Sequence, residues 1–94
     1  MFKELNPLLH SELRLAIISL LIAVDSADFS YLREKTAASA GNLSVQIEKL
    51  RIAGYITVQK GYRGKIPQTT CKITAEGILA LEAYIEALKT YITL

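Results

Sequence analysis

The sequence predicts a mainly α domain of the α+β class: three helices, a two-stranded β-hairpin and a long closing helix. Three observations carry that prediction. A helical segment starts at Ser39 and stops at Gly54, with Leu43, Ile47 and Leu50 at i, i+4 and i+7. Two runs of alternating polarity follow, Tyr55 to Lys60 and Gln68 to Thr74, around the turn formers of Gly61 to Pro67. Beyond them Ile78, Leu81, Ile85, Leu88 and Ile92 step by three and four, a heptad seam.

Taken in order, Asn6-Pro7 reads as a cap and a residue tolerated in a first helical turn, so Leu8 to His10 is expected to form a short turn. The first main helix is expected from about Ser11, its N-cap, to Val24. Its apolar residues, including Leu13, Ile17, Leu20 and Leu21, cover nearly every face, and a helix apolar all round must be buried all round. A chain of 94 residues does not easily surround one of its own helices, so a second copy is expected to supply cover. Asp25 to Asp28 reads as a turn, and Ser30 as the N-cap of a short helix from Tyr31 to Ala37 anchored by Leu32. A tight turn at Ala38-Ser39 leads into the third helix, about residues 40–53, with Gly54 in the helix-stopping position. Two short helices so joined form a helix-turn-helix pattern.

The hairpin is expected over about residues 55–74, with a loop longer than a two-residue turn that holds out Tyr62, Arg63 and Lys65. The last helix, about residues 75–92, begins behind the N-cap Thr74, with Glu76 where the helix dipole favours an anion. Beside its heptad seam lies a second stripe, Ala80, Tyr84, Ala87 and Tyr91, so one stripe is expected to face the chain itself and the other a partner. Residues 1–94 read as one domain.

Composition narrows the function. The apolar fraction of 51% is high for so short a chain, a further reason to expect burial against another subunit. Net charge is only +2, yet six basic residues and no acid lie between Lys49 and Ala75, so the remainder is acidic and the chain is polarised. The single Cys71 excludes an intramolecular disulfide and a cysteine-cluster metal site; it fits a core position in a protein of a reducing, cytoplasmic compartment. The run from Leu15 to Val24 has ten residues, well short of the roughly 20 that span a bilayer. A lone histidine, His10, and the lack of a phosphate loop, nucleophile elbow or metal-spaced cluster argue against an enzyme, a cofactor or a metal.

The third helix carries the sharpest signal. Around Val45 it presents Asn42, Ser44, Gln46 and Lys49, short hydrogen-bonding groups with Glu48 as the only acid. Such a face suits base edges in a DNA major groove. Asn42 and Gln46 each offer a donor and an acceptor together, the pattern that matches adenine, although each also serves as an ordinary solvated residue. Arg63 suits a narrow minor groove or a phosphate. Ser30 and Tyr31 are expected to offer backbone amides to phosphates.

The element order, with Gly41-Asn-Leu-Ser44, Leu50-Arg-Ile-Ala-Gly-Tyr55, Ile73-Thr-Ala-Glu-Gly77 and the basic Gly61-Tyr-Arg-Gly-Lys65, resembles the small winged-helix transcriptional regulators of the MarR/ArsR-like group. The resemblance covers about Leu5 to Ile92. It implies a homodimer on pseudo-palindromic operator DNA, acting as a repressor. Its recognition-helix positions fall on Gly41, Asn42, Ser44, Val45, Gln46 and Lys49, and its wing positions on Tyr62, Arg63 and Lys65. The first and last helices then form the dimer core through Leu13, Ile17, Leu20, Leu21, Ile78, Leu81, Tyr84, Ile85, Leu88, Tyr91 and Ile92. The competing reading is a protein-interaction module that keeps the same fold.

Overall fold

In the computed structural model, which describes residues 1–92, the apolar segment after Ser11 forms α1, Glu12–Ala23. Ser11 occupies the N-cap position, but its side chain makes no capping bond. The turn before it is held instead by Asn6, whose Oδ1 accepts from the Leu8 and Leu9 amides while Nδ2 donates to the Tyr55 hydroxyl at 2.9 Å. Ile17, Ile18 and Leu21 of α1 are fully buried, and Leu13, Leu15, Leu20 and Val24 are half-covered by the chain itself. The expectation that α1 needs a second copy for cover is therefore corrected in large part. Later elements pack around it, leaving mainly Ser19, Ile22 and Ala23 exposed after its first residue.

The segment expected as a turn contains a short strand, β1, Ala27–Asp28. Next comes α2, Phe29–Thr36, capped by Asp28 rather than by Ser30: Asp28 Oδ1 accepts from the Tyr31 amide at 2.8 Å. Ala37 ends α2 with φ 57°, and Ser39 caps α3, Ala40–Ile52, as expected, accepting from the Asn42 amide. Leu43, Ile47 and Leu50 are the buried stripe of α3. Its end is a Schellman pair, Tyr55 N–H to Leu50 O and Gly54 N–H to Arg51 O, with Gly54 at φ 81°.

Two strands follow, β2, Ile56–Arg63, and β3, Ile66–Ile73. They run to within two residues of each other, so the long protruding loop is corrected to a tight turn at Gly64-Lys65. A positive φ (65°) at Gly64 alone matches the two-residue turn with glycine first, whose twist suits long paired strands. The sheet has three strands in the order β1-β3-β2, all antiparallel, with Ala27 opposite Cys71 and Asp28 opposite Thr70. Pro67 is tolerated in the central strand because β1 ends before reaching it.

The closing helix, α4, spans Ala75–Lys89 and shares a junction with the end of α3. Thr74 Oγ1 accepts from Gly77 N–H at 3.0 Å and donates to Gly54 O at 2.6 Å, and its own amide donates to Tyr55 O. A Cβ on Gly77 would lie 2.2 Å from Tyr55 O, so only glycine allows α4 to seat here. Gly77, Leu81, Tyr84 and Ala87 form the buried stripe of α4. The regular helix stops at Lys89, short of the expected residue 92, because Tyr91 and Ile92 donate to carbonyls three residues back and Thr90 Oγ1 donates to Ala87 O.

The core joins Leu9, Ile17, Ile18, Leu21, Leu32, Leu43, Leu50 and Cys71, all fully buried. Among the described residues no helix is long and apolar enough to cross a membrane. Replacing Gly77 by Ala forces backbone to move and is expected to cost about 1–3 kcal/mol, the range for overpacking. Thr74→Ala, which removes the cap, is expected to cost about 1 kcal/mol. Urea denaturation of both variants checks the order.

Candidate nucleic-acid interface

With Leu43, Ile47 and Leu50 turned inward, α3 shows solvent the opposite side: Gly41, Asn42, Ser44, Val45, Glu48, Lys49, Arg51 and Ile52 are all exposed. Val45 is 51% and Ile52 72% exposed, so neither serves the core. Gln46 is different. It is half-buried on the α1 side, its Oε1 accepts from Arg14 and its Nε2 donates to Asn42 Oδ1 at 3.0 Å. Glu48 forms a two-pronged pair with Arg51, including Arg51 Nε to Glu48 Oε2 at 2.9 Å. That bond, with the nearby charges of Arg51 and Lys60, holds the Glu48 carboxyl below its ordinary range.

The hairpin runs beside this face. A shallow cleft lined by Phe29, Ser44, Ile47, Glu48, Lys60 and Thr69 separates α3 from the strands, and a second, lined by Asp28, Phe29, Ser30, Arg63, Ile66 and Gln68 among others, lies at the start of α2. Phe29 and Thr69 border both, so the two form one strip. Tyr62 and Arg63 are adjacent in β2 and therefore point to opposite faces of the hairpin. Tyr62 lies on the face of Lys60, and Arg63 pairs with Ile66 on the other. Lys49, Arg51, Lys60, Arg63, Lys65 and Lys72 are all exposed. The two carboxylates bordering the strip are both occupied: Glu48 by Arg51, and Asp28 by the Tyr31 amide and by Gln68 Nε2 at 3.0 Å.

Comparison with known proteins decides what this arrangement is. The sequence profile of the winged helix DNA-binding domain matches residues 13–92. The chain belongs to the winged helix DNA-binding domain family. An uncharacterized protein of Methanocaldococcus jannaschii is 34% identical over 77 residues, covering 81% of this chain and 83% of the relative. The structure of a transcriptional regulator homologue from Pyrococcus horikoshii superposes with a TM-score of 0.82 at 26% identity, covering 89% of this chain and 83% of that one. PadR of Bacillus subtilis, solved in complex with operator DNA, shares the fold at a TM-score of 0.71 and 19% identity, over 80% of this chain and 47% of PadR.

In this winged helix domain α2 and α3 follow each other across a tight turn and β2–β3 forms the hairpin, the element order that the sequence predicts; the short β1, which the sequence reading took for a turn, pairs with β3 as a third strand. The expected interface residues divide accordingly. Gly41, Asn42, Ser44, Val45 and Lys49 share the exposed side of α3, while Gln46 is drawn toward α1. Ser30 is exposed beside Arg63, but Tyr31 cannot offer its amide because Asp28 has taken it.

The expected dimer set also divides. Ile17 and Leu21 are fully buried, and Leu81 and Tyr84 each only 5% exposed, in the chain's own core, so they have no surface to give a partner. Leu13, Leu20, Ile78 and Leu88 are half-buried, and Ile85, Tyr91 and Ile92 are exposed. Tyr91 is partly claimed by the N-terminus: Phe2 stacks on its ring at 4.8 Å and its hydroxyl donates to Lys3 O.

Sequence reading missed Asp28, Lys60, the Glu48–Arg51 pair and Arg14. Asp28 stands three residues before Tyr31, a capping offset equal in merit to the chosen Ser30. Arg14 had one signal, as the only charge between Leu13 and Val24.

Asp28→Ala removes a helix cap and the tie to Gln68 together, and is expected to lower stability by about 1–2 kcal/mol in a denaturant titration. An NMR titration is expected to give Glu48 a midpoint below the ordinary value for a glutamate side chain. Its ionised form is the one favoured in the fold, so the pair persists as pH falls until the Glu48 midpoint is passed, and Arg51→Ala moves the midpoint up toward the ordinary range.

Proposed function

We propose that the chain is a sequence-specific DNA-binding regulator that acts as a homodimer on a pseudo-palindromic operator and represses by occupying it. In this reading α3 enters the major groove, Lys49 and Arg51 lie against phosphates, and the wing tip at Arg63 and Lys65 follows the adjacent backbone or minor groove. The observation that carries the reading is the exposed polar side of α3 with clefts beside it that Lys60 and Arg63 line, where Arg51 pairs with Glu48 and hydrogen bonds hold the Asp28 carboxylate. The fold likeness to PadR, solved in complex with operator DNA, supports duplex DNA as the partner.

The dimer is supported by apolar residues that the chain leaves exposed on its first and last helices. Ile22 of α1 and Ile85 of α4 are each 44% exposed and Leu79 66% exposed, while Ile92 beyond α4 remains 49% exposed. Covering them against a second copy would remove apolar area from water, and two copies of α3 would then face successive turns of the duplex.

Titration of a labelled duplex at several salt concentrations tests the DNA reading. Binding is expected to weaken steeply with salt as counterions are released, and Arg63→Ala to reduce the slope by about one. A chain that binds no duplex even in low salt would leave the protein-interaction reading instead. Light scattering is expected to give twice the 10.4 kDa chain mass, and a monomer at micromolar concentration would refute the dimer.

A further inference from the structure

Arg14 is half-buried and is the one cation of a helix whose other polar residues are Glu12 and Ser19, and its bonds are specific. Its Nε donates to Leu8 O at 2.6 Å and its Nη1 to Gln46 Oε1 at 2.5 Å. Gln46 Nε2 in turn donates to Asn42 Oδ1 at 3.0 Å. The sequence of bonds has only one workable polarity. A guanidinium carries donors and no acceptor, so the group facing it must be the amide oxygen of Gln46. That turns the Gln46 N–H₂ toward Asn42, and an N–H pointing at Asn42 requires its oxygen rather than its nitrogen. Asn42 is exposed, its Nδ2 has no partner among the described residues, and Oδ1 keeps a second lone pair.

We propose that Arg14, although it lies on α1 and outside the recognition helix, is a positioning residue that sets the sense in which the Asn42 amide meets a base edge. The inference rests on the DNA-binding reading of α3. An asparagine held with its oxygen anchored and its nitrogen free fits adenine, which offers N6–H₂ to the oxygen and N7 to the nitrogen. Gln46 is then an internal strut, and Asn42 is the reader. Without the relay the Asn42 amide can flip, and the flipped sense sets its N–H₂ against the adenine N6–H₂ and its oxygen against N7.

The test uses the full chain and a duplex selected from a random pool. Affinities are measured for that duplex, for its single-pair variants and for a random duplex in low salt. Arg14→Met keeps the aliphatic bulk and removes every donor. It is expected to lower discrimination about tenfold at the same base pair that Asn42→Ala affects, with random-duplex affinity unchanged. Gln46→Glu carries the test should Arg14→Met fail to fold. It keeps the acceptor for Arg14, removes the donor to Asn42, and is expected to lose discrimination at that same pair. Retention of the parent's discrimination by either folded variant overturns the relay, as does a loss that falls equally on selected and random duplexes. Failure of the parent chain to bind any duplex is a separate result and overturns the DNA reading itself.

Discussion

Three side chains of one stripe about two turns long, Leu43, Ile47 and Leu50, seat α3 in the core, and most of the molecule follows from that seating. A stripe so narrow buries the helix on one side only and leaves a wide polar arc in solvent. Leu9 and the buried residues of α1 and α2 supply the surface that receives it, and Cys71 and Ile56 close the core from the sheet. The end of α3 is then fixed by the Schellman bonds at Gly54 and Tyr55, which hand the chain directly to β2. Because Thr74 and Gly77 meet the same few backbone groups, α4 starts where α3 stops. One junction thus fixes α3, the β2–β3 hairpin and α4 against each other.

Charge is arranged on this frame with economy. Basic residues occupy the wing and the second half of α3, while Glu48 is paired with Arg51 and the Asp28 carboxylate is held by hydrogen bonds. An unpaired carboxylate on that surface would repel a phosphate backbone within a Debye length of about 8–10 Å. Asp28 illustrates a second use of the same device, since one carboxylate caps α2 and grips β3. Burial explains the opposite behaviour of Cys71, whose thiol is pushed up to about 11 by desolvation and stays an inert part of the core.

Much of the winged helix was legible because it rests on local rules. The caps at Ser39 and Thr74, the stop at Gly54, the period of α3 and the alternation of β2 and β3 each involve residues within a few positions of one another. The errors arise where partners are distant. Ala27-Asp28 is a strand only because Cys71 and Thr70 lie alongside, and a two-residue strand has no pattern of its own. Both stripes of α4 were visible, but the choice between Leu81 with Tyr84 and Ile85 as the inward set depends on how Gly77 meets Tyr55 O.

By itself, then, the sequence determined the class of fold, the extent of α3 and the basic hairpin, because helix periodicity, capping and charge order are written in short windows. Tertiary structure alone decided which polar side chains on α3 are free. Gln46 and Asn42 look alike in the sequence, but a guanidinium from α1 reaches one and not the other. Likewise α1, apolar on every face, needed most of the chain folded around it before its remaining exposed side could be identified. Hydrogen-bond polarity and burial are set by neighbours that the chain brings together only on folding, and no spacing along it records them.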